Sequence, residues 1–363
     1  MFYRPARAYI HLPALRHNLN VAKSFAPNSK ILAVVKANGY GHGICRVARQ
    51  LVAADGFGVA SMDEALQLRQ KGFLHRILLL EGLFSELELP LAIQNRLDIV
   101  IHSEHQLQWV LDYQTTINIT VWLKIDTGMH RLGFAADQLP SVIKRLEQNL
   151  NAFNIHLMSH LASADEQHLE AIKQTKKQIN LFNQVSEKYG FSKSLNNSAG
   201  LQAYQESNYD WVRPGILLYG AGQADGSKNR LNQFRAVMRL ESEVIAMKWV
   251  KAGEYVGYGN DWQATKDTYI AIIAIGYGDG YPRHASAGTP VLINGKRVPL
   301  IGRVSMDMIT VDITKYSAKI HIGSLVTLWG GALSVDEIAK HASTISYELL
   351  CGITSRVPMI EIQ

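Results

Sequence analysis

Lys36 closes the apolar run Ala33-Val34-Val35 and stands directly before Ala37-Asn38-Gly39-Tyr40-Gly41-His42-Gly43. An amine at the end of a buried-type strand is partly desolvated, which lowers its pKa and lets the neutral form attack a carbonyl to give a Schiff base. Most lysines at strand ends are simply solvated, so position alone leaves both readings open. The glycines at 39, 41 and 43 are too closely spaced for a dinucleotide fingerprint, and no Gly-x4-Gly-Lys-Ser/Thr occurs, so Rossmann and P-loop readings are weak. Cys45 and Cys351 are too few for a disulfide framework or a thiolate zinc cluster, and they are expected to be reduced in a cytoplasmic protein.

Such a lysine needs a scaffold that holds a strand end in an open mouth. From about residue 29 to 219, short apolar runs at 31–35, 56–60, 77–80, 97–101, 120–125, 155–159, 194–196 and 209–212 alternate with segments of helical period. This is the pattern of βα units around a parallel sheet. Ser61 with Glu64 and Ser103 with Gln106 have capping-box spacing, and Leu169, Ile172, Ile179, Phe182 and Val185 mark one face of a helix ending near Gly190. Eight such units make an α/β fold, a (β/α)8 TIM-like barrel whose site lies at the carboxyl ends of its strands. After residues 220–232 the character changes. Runs at 239–250, 269–275, 290–293, 297–300, 308–313 and 325–329 read as strands, with Asn294-Gly295 as a two-residue hairpin turn. The expected division is a barrel over residues 1–232 and a mostly β domain over 233–363.

The length of 363 residues also favours two domains. With 47% hydrophobic and 19% charged residues the chain has ordinary globular usage, which excludes collagen-like or largely disordered sequence. A net charge of +6 without any run of five Lys/Arg argues against nucleic-acid and membrane-surface partners. Residues 1–15 carry Arg4, Arg7 and His11 with no continuous apolar core, so no signal peptide is expected. The apolar run at 269–275 is far short of a membrane span.

Six motifs in order resemble the alanine racemase family over essentially the whole chain. Besides the lysine motif they are Leu123-Lys124-Ile125-Asp126-Thr127-Gly128-Met129-His130-Arg131-Leu132-Gly133, Ser159-His160-Leu161-Ala162-Ser163-Ala164-Asp165, Asn197-Ser198-Ala199-Gly200 and Val212-Arg213-Pro214-Gly215-Ile216. The last is a β-domain group from Gly257-Tyr258-Gly259 through Gly276-Tyr277-Gly278-Asp279-Gly280-Tyr281-Pro282-Arg283 to Ser305-Met306-Asp307. The resemblance implies a pyridoxal 5'-phosphate (PLP) enzyme that interconverts L- and D-alanine, the D form supplying peptidoglycan. It implies that Lys36 holds PLP covalently, and that Tyr40, Ser198 and the N–H groups around Gly215 and Ile216 hold its phosphate. Arg213 is then the partner of the pyridine nitrogen. A guanidinium keeps its own proton, leaving the ring nitrogen unprotonated.

Racemisation needs groups on both faces of Cα, and the resemblance implies Lys36 on one and Tyr258 on the other, with His160 between Tyr258 and Arg213. It further implies a head-to-tail homodimer in which Tyr258, Tyr277, Met306 and Asp307 line the partner's site. Tyr277 and Met306 then narrow the entrance, the Met306 N–H and Arg131 bind the substrate carboxylate, and Lys124 is a candidate for carbamylation.

Three departures from the family's pattern stand out: Ser355 where Tyr often precedes Arg-Val-Pro, Ser194 where some relatives back the ring-nitrogen Arg with His, and Gly39 where Ala is common, a change expected to be neutral. The other readings are a broader amino-acid racemase of the same fold, a non-catalytic PLP-binding homeostasis protein and a barrel-type PLP decarboxylase. The homeostasis protein would lack the β domain, and the decarboxylase would bring a catalytic Cys and an acid at the ring nitrogen.

Overall fold

The computed structural model describes residues 3–222 and 233–363. Residues 223–232, which hold most of the expected linker and the boundary drawn after 232, lie outside the described residues. The described chain separates into two compact units.

The first unit, Arg16–Leu218, contains eight parallel strands closed into a barrel. They are β2 (Lys30–Val34), β3 (Gly56–Val59), β4 (Arg76–Leu79), β5 (Asp98–Ile101), β6 (Ile119–Lys124), β7 (Phe153–Met158), β8 (Ser192–Ser194) and β9 (Trp211–Val212), numbered after the N-terminal strand β1 (Arg7–His11). All eight expected strands are present, with ends shifted by a residue or two. Strands covered on both faces must be apolar almost throughout, and most positions in β2 to β7 are buried. The pairing Ile31↔Val212 closes the ring. Leu32, Leu78, Val100, Trp122, Met158 and Trp211 fill the interior, so the barrel is a packed core. Near the amino ends, Arg76 pairs with Asp98 at 2.6 Å, and Asp98 also accepts from the Trp122 indole at 2.8 Å. This floor leaves the opposite rim for chemistry.

The expected capping boxes do not form. Ser61 and Ser103 stand at the N-caps of Met62–Gln70 and Glu104–Asp112, but neither hydroxyl caps its helix. Glu64 instead accepts from the Ala60 N–H at 2.8 Å, and Gln106 from the His102 N–H at 3.1 Å. Both side chains reach one residue further back, toward the ends of the preceding strands. The helix Leu169–Ser186 buries Ile179 and Phe182 as expected, but Leu169 is exposed and the helix stops short of Gly190.

The second unit comprises Phe234–Gln363, Tyr219–Gly222 and residues 3–15. Here the expected division at 1–232 needs correction, because β1 belongs to the β unit. It runs antiparallel to β10 (Met238–Val250) and parallel to β18 (Met359–Ile362), at the edge half of an eight-stranded sheet. The partners lie hundreds of residues away, and local periodicity carries no signal for such pairing. The other strands of this unit are β11 (Tyr255–Val256), β12 (Trp262–Gln263), β13 (Thr268–Ile273), β14 (Pro290–Ile293), β15 (Lys296–Ile301), β16 (Ile309–Asp312) and β17 (Leu325–Trp329). The β14–β15 hairpin turns at Asn294 and Gly295, with φ of 46° and 73°. Positive φ at both positions is what a tight primed turn demands.

Removing residues 1–11 strips both β10 and β18 of their partner. Hydrogen exchange should then quicken at the amides of β10 and β18 while β3 to β7 keep their protection. Loss of protection in the barrel instead would place β1 with the barrel.

Candidate active site

Lys36 follows β2, and the chain then turns left-handed. Ala37, Asn38 and Tyr40 have φ of 52°, 53° and 51°, and Gly39 has 63°. For non-glycine residues this conformation costs roughly 1–2 kcal/mol each, so the run persists only if its surroundings over-determine it. They do: Gly39 N–H donates to Val35 O at 2.8 Å, Gly41 N–H to Ala37 O at 2.9 Å and Gly43 N–H to Asn38 O at 2.8 Å. The Asn38 side chain accepts from Ile44 N–H at 3.0 Å. His42 is fully buried, and desolvation pushes its pKa down to about 4 against the opposing pull of its carbonyl partners. It is therefore neutral at physiological pH, and its Nδ1–H donates to Tyr40 O at 2.8 Å. Glycine at 39 is not a neutral replacement, since an added Cβ would meet Val47 Cγ2 at 3.0 Å on a left-handed backbone.

The turn directs Tyr40 toward Gly215. A Cβ built on Gly215 would lie 2.3 Å from the Tyr40 hydroxyl, and the Gly215 N–H donates to Ser198 Oγ at 2.9 Å. The Ile216 N–H makes no hydrogen bond among the described residues. Two hydroxyls and a free main-chain donor, with a missing side chain between them, fit a phosphate dianion. Ser198 opens the helix Ser198–Ala203, which is fixed by Asn197 accepting from Gly200 N–H at 2.9 Å.

Around the same strand ends stands a ring of cations. Arg213, after β9, is buried, and desolvation lowers its pKa to about 10, so it stays charged at neutral pH. It donates to Ser194 Oγ and Ser159 O, both at 2.5 Å, and to Leu195 O at 3.1 Å. Thus Ser194, not a histidine, backs this guanidinium, and no carboxylate pairs with it among the described residues. The Arg213 Nη2 lies 3.3 Å from His160 Nδ1. Since Arg can only donate, Nδ1 is the acceptor. Burial, then the charges of Arg213, Lys124, Arg131 and Lys36, hold the His160 pKa well below its ordinary value, so the ring is neutral.

Lys124, at the end of β6, shares a small depression with Arg131, Ser159 and His160. Burial first, then Arg213, Arg131 and Lys36, push its pKa down to about 8. Glu81, beyond β4, faces the ring with Oε1 3.9 Å from the Lys36 amine. Its carbonyl accepts from His102 Nε2 at 3.1 Å. Sequence reading missed Glu81, His102 and the role of His42; an acid just past an apolar run was the available signal for Glu81.

Tyr258, Tyr277, Met306 and Asp307 all belong to the β unit. Tyr258 is 65% exposed and Met306 51%. The segment 305–306 is tied to a tight turn, Tyr277 N–H donating to Ser305 O at 3.0 Å and Gly278 N–H to Met306 O at 2.8 Å. The Met306 N–H makes no hydrogen bond among the described residues. Ser355, where relatives often have Tyr, is exposed.

These features define a protein with a closed (β/α)8 barrel and a mostly β unit, in which hydroxyls, a main-chain donor and a lysine stand at the barrel's strand ends. A family model described as "Alanine racemase, N-terminal domain" matches residues 10–223, and one described as "Alanine racemase, C-terminal domain" matches residues 237–361. The chain belongs to the alanine racemase family, a family of isomerases. It is 49% identical to an alanine racemase of Vibrio vulnificus over 99% of this chain and 95% of that one. It is also 49% identical to an alanine racemase of Vibrio cholerae, over 98% of each chain. The crystal structure of biosynthetic alanine racemase from Pseudomonas aeruginosa superposes with a TM-score of 0.95 at 42% identity, covering 99% of this chain and 100% of that one.

If Gly215 is empty so that the Tyr40 hydroxyl can approach, Gly215→Ala must push the two apart. It should destabilise the protein by about 1–3 kcal/mol and weaken PLP retention, read by thermal unfolding and cofactor absorbance. Unchanged retention would remove Gly215 from the cradle.

Proposed function

We propose that the chain interconverts L- and D-alanine with PLP as its resident cofactor. The observation that carries the reading is the placement of a buried arginine, satisfied by carbonyl and hydroxyl oxygens, at the same strand ends as Lys36 and a phosphate-shaped cradle. When bound, PLP supplies an electron-withdrawing system that acidifies the Cα–H of an amino acid joined to it. Tyr40, Ser198 and the Gly215–Ile216 main chain would hold its phosphate, and the Lys36 amine would anchor the other end. Arg213, which keeps its own proton, would donate to the ring nitrogen and leave it unprotonated, so that the bound group would supply a weaker electron sink and charge on Cα would be short-lived. Quick return of the proton favours racemisation over transamination. An acid in this position would favour the reverse, so Arg213 speaks against the decarboxylase reading, and the β unit against a barrel-only homeostasis protein.

On one face of Cα the freed Lys36 amine takes or gives the proton. Tyr258 of the partner subunit serves the opposite face, in a homodimer with shared sites. His160, held neutral by burial and then by the cations around it, orients that network without adding a charge. Arg131 and the Met306 N–H of the partner subunit bind the substrate carboxylate, while Tyr277, Met306 and Asp307 of the partner subunit bound a pocket sized for a methyl side chain. As proposed, the enzyme is cytoplasmic and supplies D-alanine for peptidoglycan; no helix among the described residues is long and apolar enough to cross a membrane.

The decisive test combines two inactive variants. Lys36→Ala and Tyr258→Phe should each abolish or sharply cut racemisation of L-alanine. Mixing them with verified subunit exchange should restore one working site per mixed dimer, while L-serine, L-lysine and L-arginine turn over poorly. Absence of recovery sinks the shared site, and an inactive wild type sinks the reaction.

Lys124 yields a second expectation. With a pKa of about 8, roughly a quarter of the amine is neutral at pH 7.5, against about 0.1% for an ordinary lysine. The neutral nitrogen attacks CO2, an N–C bond forms, one N–H proton leaves to water, and the carbamate places a negative charge beside Arg131. Protonation blocks this, so occupancy should fall as pH drops through about 8. Labelled 13C-bicarbonate should give a carbamate carbon signal with that pH dependence, absent in Lys124→Arg. A wild-type spectrum without the signal would leave Lys124 a plain cation.

A further inference from the structure

Beyond the residues of the site, we infer that Asp279, gripped by Arg4 and Arg356, is a positioning residue that sets the Met306–Asp307 segment and thereby the affinity for the substrate carboxylate. The inference rests on the proposed role of the Met306 N–H. Asp279 ends the turn Tyr277–Asp279 and is fully buried. A carboxylate removed from water is tolerated only when its charge and lone pairs are met. One oxygen accepts from Gly276 N–H at 2.9 Å and from Arg4 Nη2 at 2.6 Å. The other accepts no hydrogen bond among the described residues, and its charge is met by Arg356 Nε at 3.3 Å.

Each guanidinium has a second duty. Arg4 Nη2 also donates to the Asp307 main-chain carbonyl at 2.8 Å, and Arg356 Nη2 donates to the Asp307 carboxylate at 2.5 Å. One buried charge therefore fixes Asp307 by backbone and side chain together. On the other side of the Met306–Asp307 segment, Gly278 N–H holds the Met306 carbonyl. The Met306 N–H is left as the donor without a partner among the described residues, in a peptide braced at both ends. Gly278 fits the same arrangement, for a Cβ there would meet Arg356 Nη1 at 2.5 Å. Arg4 lies outside the six motifs, and Arg356 belongs to the Arg-Val-Pro segment that follows Ser355. Their bonds to Asp307, not to the sheet, distinguish bracing of this segment from general stabilisation.

The test uses the PLP-loaded enzyme with Arg4→Gln and, independently, Arg356→Gln, whose side chain is 40% exposed and so tolerates replacement. Loss of a charge-assisted hydrogen bond should raise KM for L-alanine about ten-fold. The same variants should hold kcat within about two-fold and leave cofactor absorbance unchanged. Amide exchange at residues 305–308 should quicken in both variants, and Arg4→Lys should recover part of the loss. Wild-type KM together with wild-type exchange at 305–308 overturns the inference even if the melting temperature falls, as does a fall in kcat at constant KM. Should the wild type fail to racemise alanine, the functional reading fails by itself. Exchange at 305–308 then decides the bracing alone: faster exchange upholds it and unchanged exchange refutes it.

Discussion

A left-handed turn directly after a buried strand is the constraint on which the barrel site depends. It turns the chain sharply between Lys36 and Tyr40, so two side chains four residues apart can serve opposite ends of one small ligand. Ordinary helix or strand geometry offers no such reversal over so few residues. The strain of three non-glycine residues at positive φ is offset by the main-chain bonds from Val35 to Gly43, by Asn38 reaching Ile44, and by His42 buried beneath the turn. His42 can donate to the Tyr40 carbonyl only through a protonated Nδ1, and desolvation guarantees the neutral ring that does so without burying a charge. Gly215 is the complementary half of the same device, leaving room where the Tyr40 hydroxyl arrives.

The electrostatics of the rim follow from what the strands bring together. Lys36, Lys124, Arg131 and Arg213 converge, with Glu81 as the carboxylate facing them. A mild net charge of +6 thus conceals a concentrated positive site, suited to a ligand with a phosphate and a substrate with a carboxylate. Burial first, and the neighbouring cations after it, lower the pKa of the groups able to give up a proton: His160 is neutral and Lys124 is brought down to about 8, while Arg213 keeps its charge because a guanidinium holds its proton so tightly. Arg213 is thereby left as the permanent cation at the strand ends.

The barrel was legible in the sequence because strands buried on both faces must be apolar, and their spacing survives without knowledge of any contact. The hairpin at Asn294-Gly295 was legible for an equally local reason, the backbone sign its residues prefer. Strand β1 was not, since its partners β10 and β18 lie far along the chain. The caps failed at a finer level. Glu64 and Gln106 do bond to main-chain N–H groups, but to those of Ala60 and His102, a choice made by the strand-to-loop geometry and invisible in spacing. At the site, residue types alone left Lys36 ambiguous, and six motifs in order were needed to give roles. Asp279 sat within one of those motifs, yet its partners Arg4 and Arg356 could be found only by folding.

The two halves of the proposed site meet their requirements by different physical means. Ser198, Arg213 and Lys124 are nearly buried, and packing holds them in place. Tyr258 and Met306 stand largely exposed in their own unit, where packing cannot fix them and side-chain entropy opposes any single geometry. A surface segment can be made rigid only by hydrogen bonds anchored in something that does not move. Asp279 provides that anchor: it is fully buried and paired with Arg4 and Arg356, and those two cations reach outward to Asp307. Precision at an exposed edge is thereby drawn from a charge inside the fold. Under the proposed function the substrate side chain is a methyl group, and so small a ligand would supply little binding energy with which to order its own surroundings.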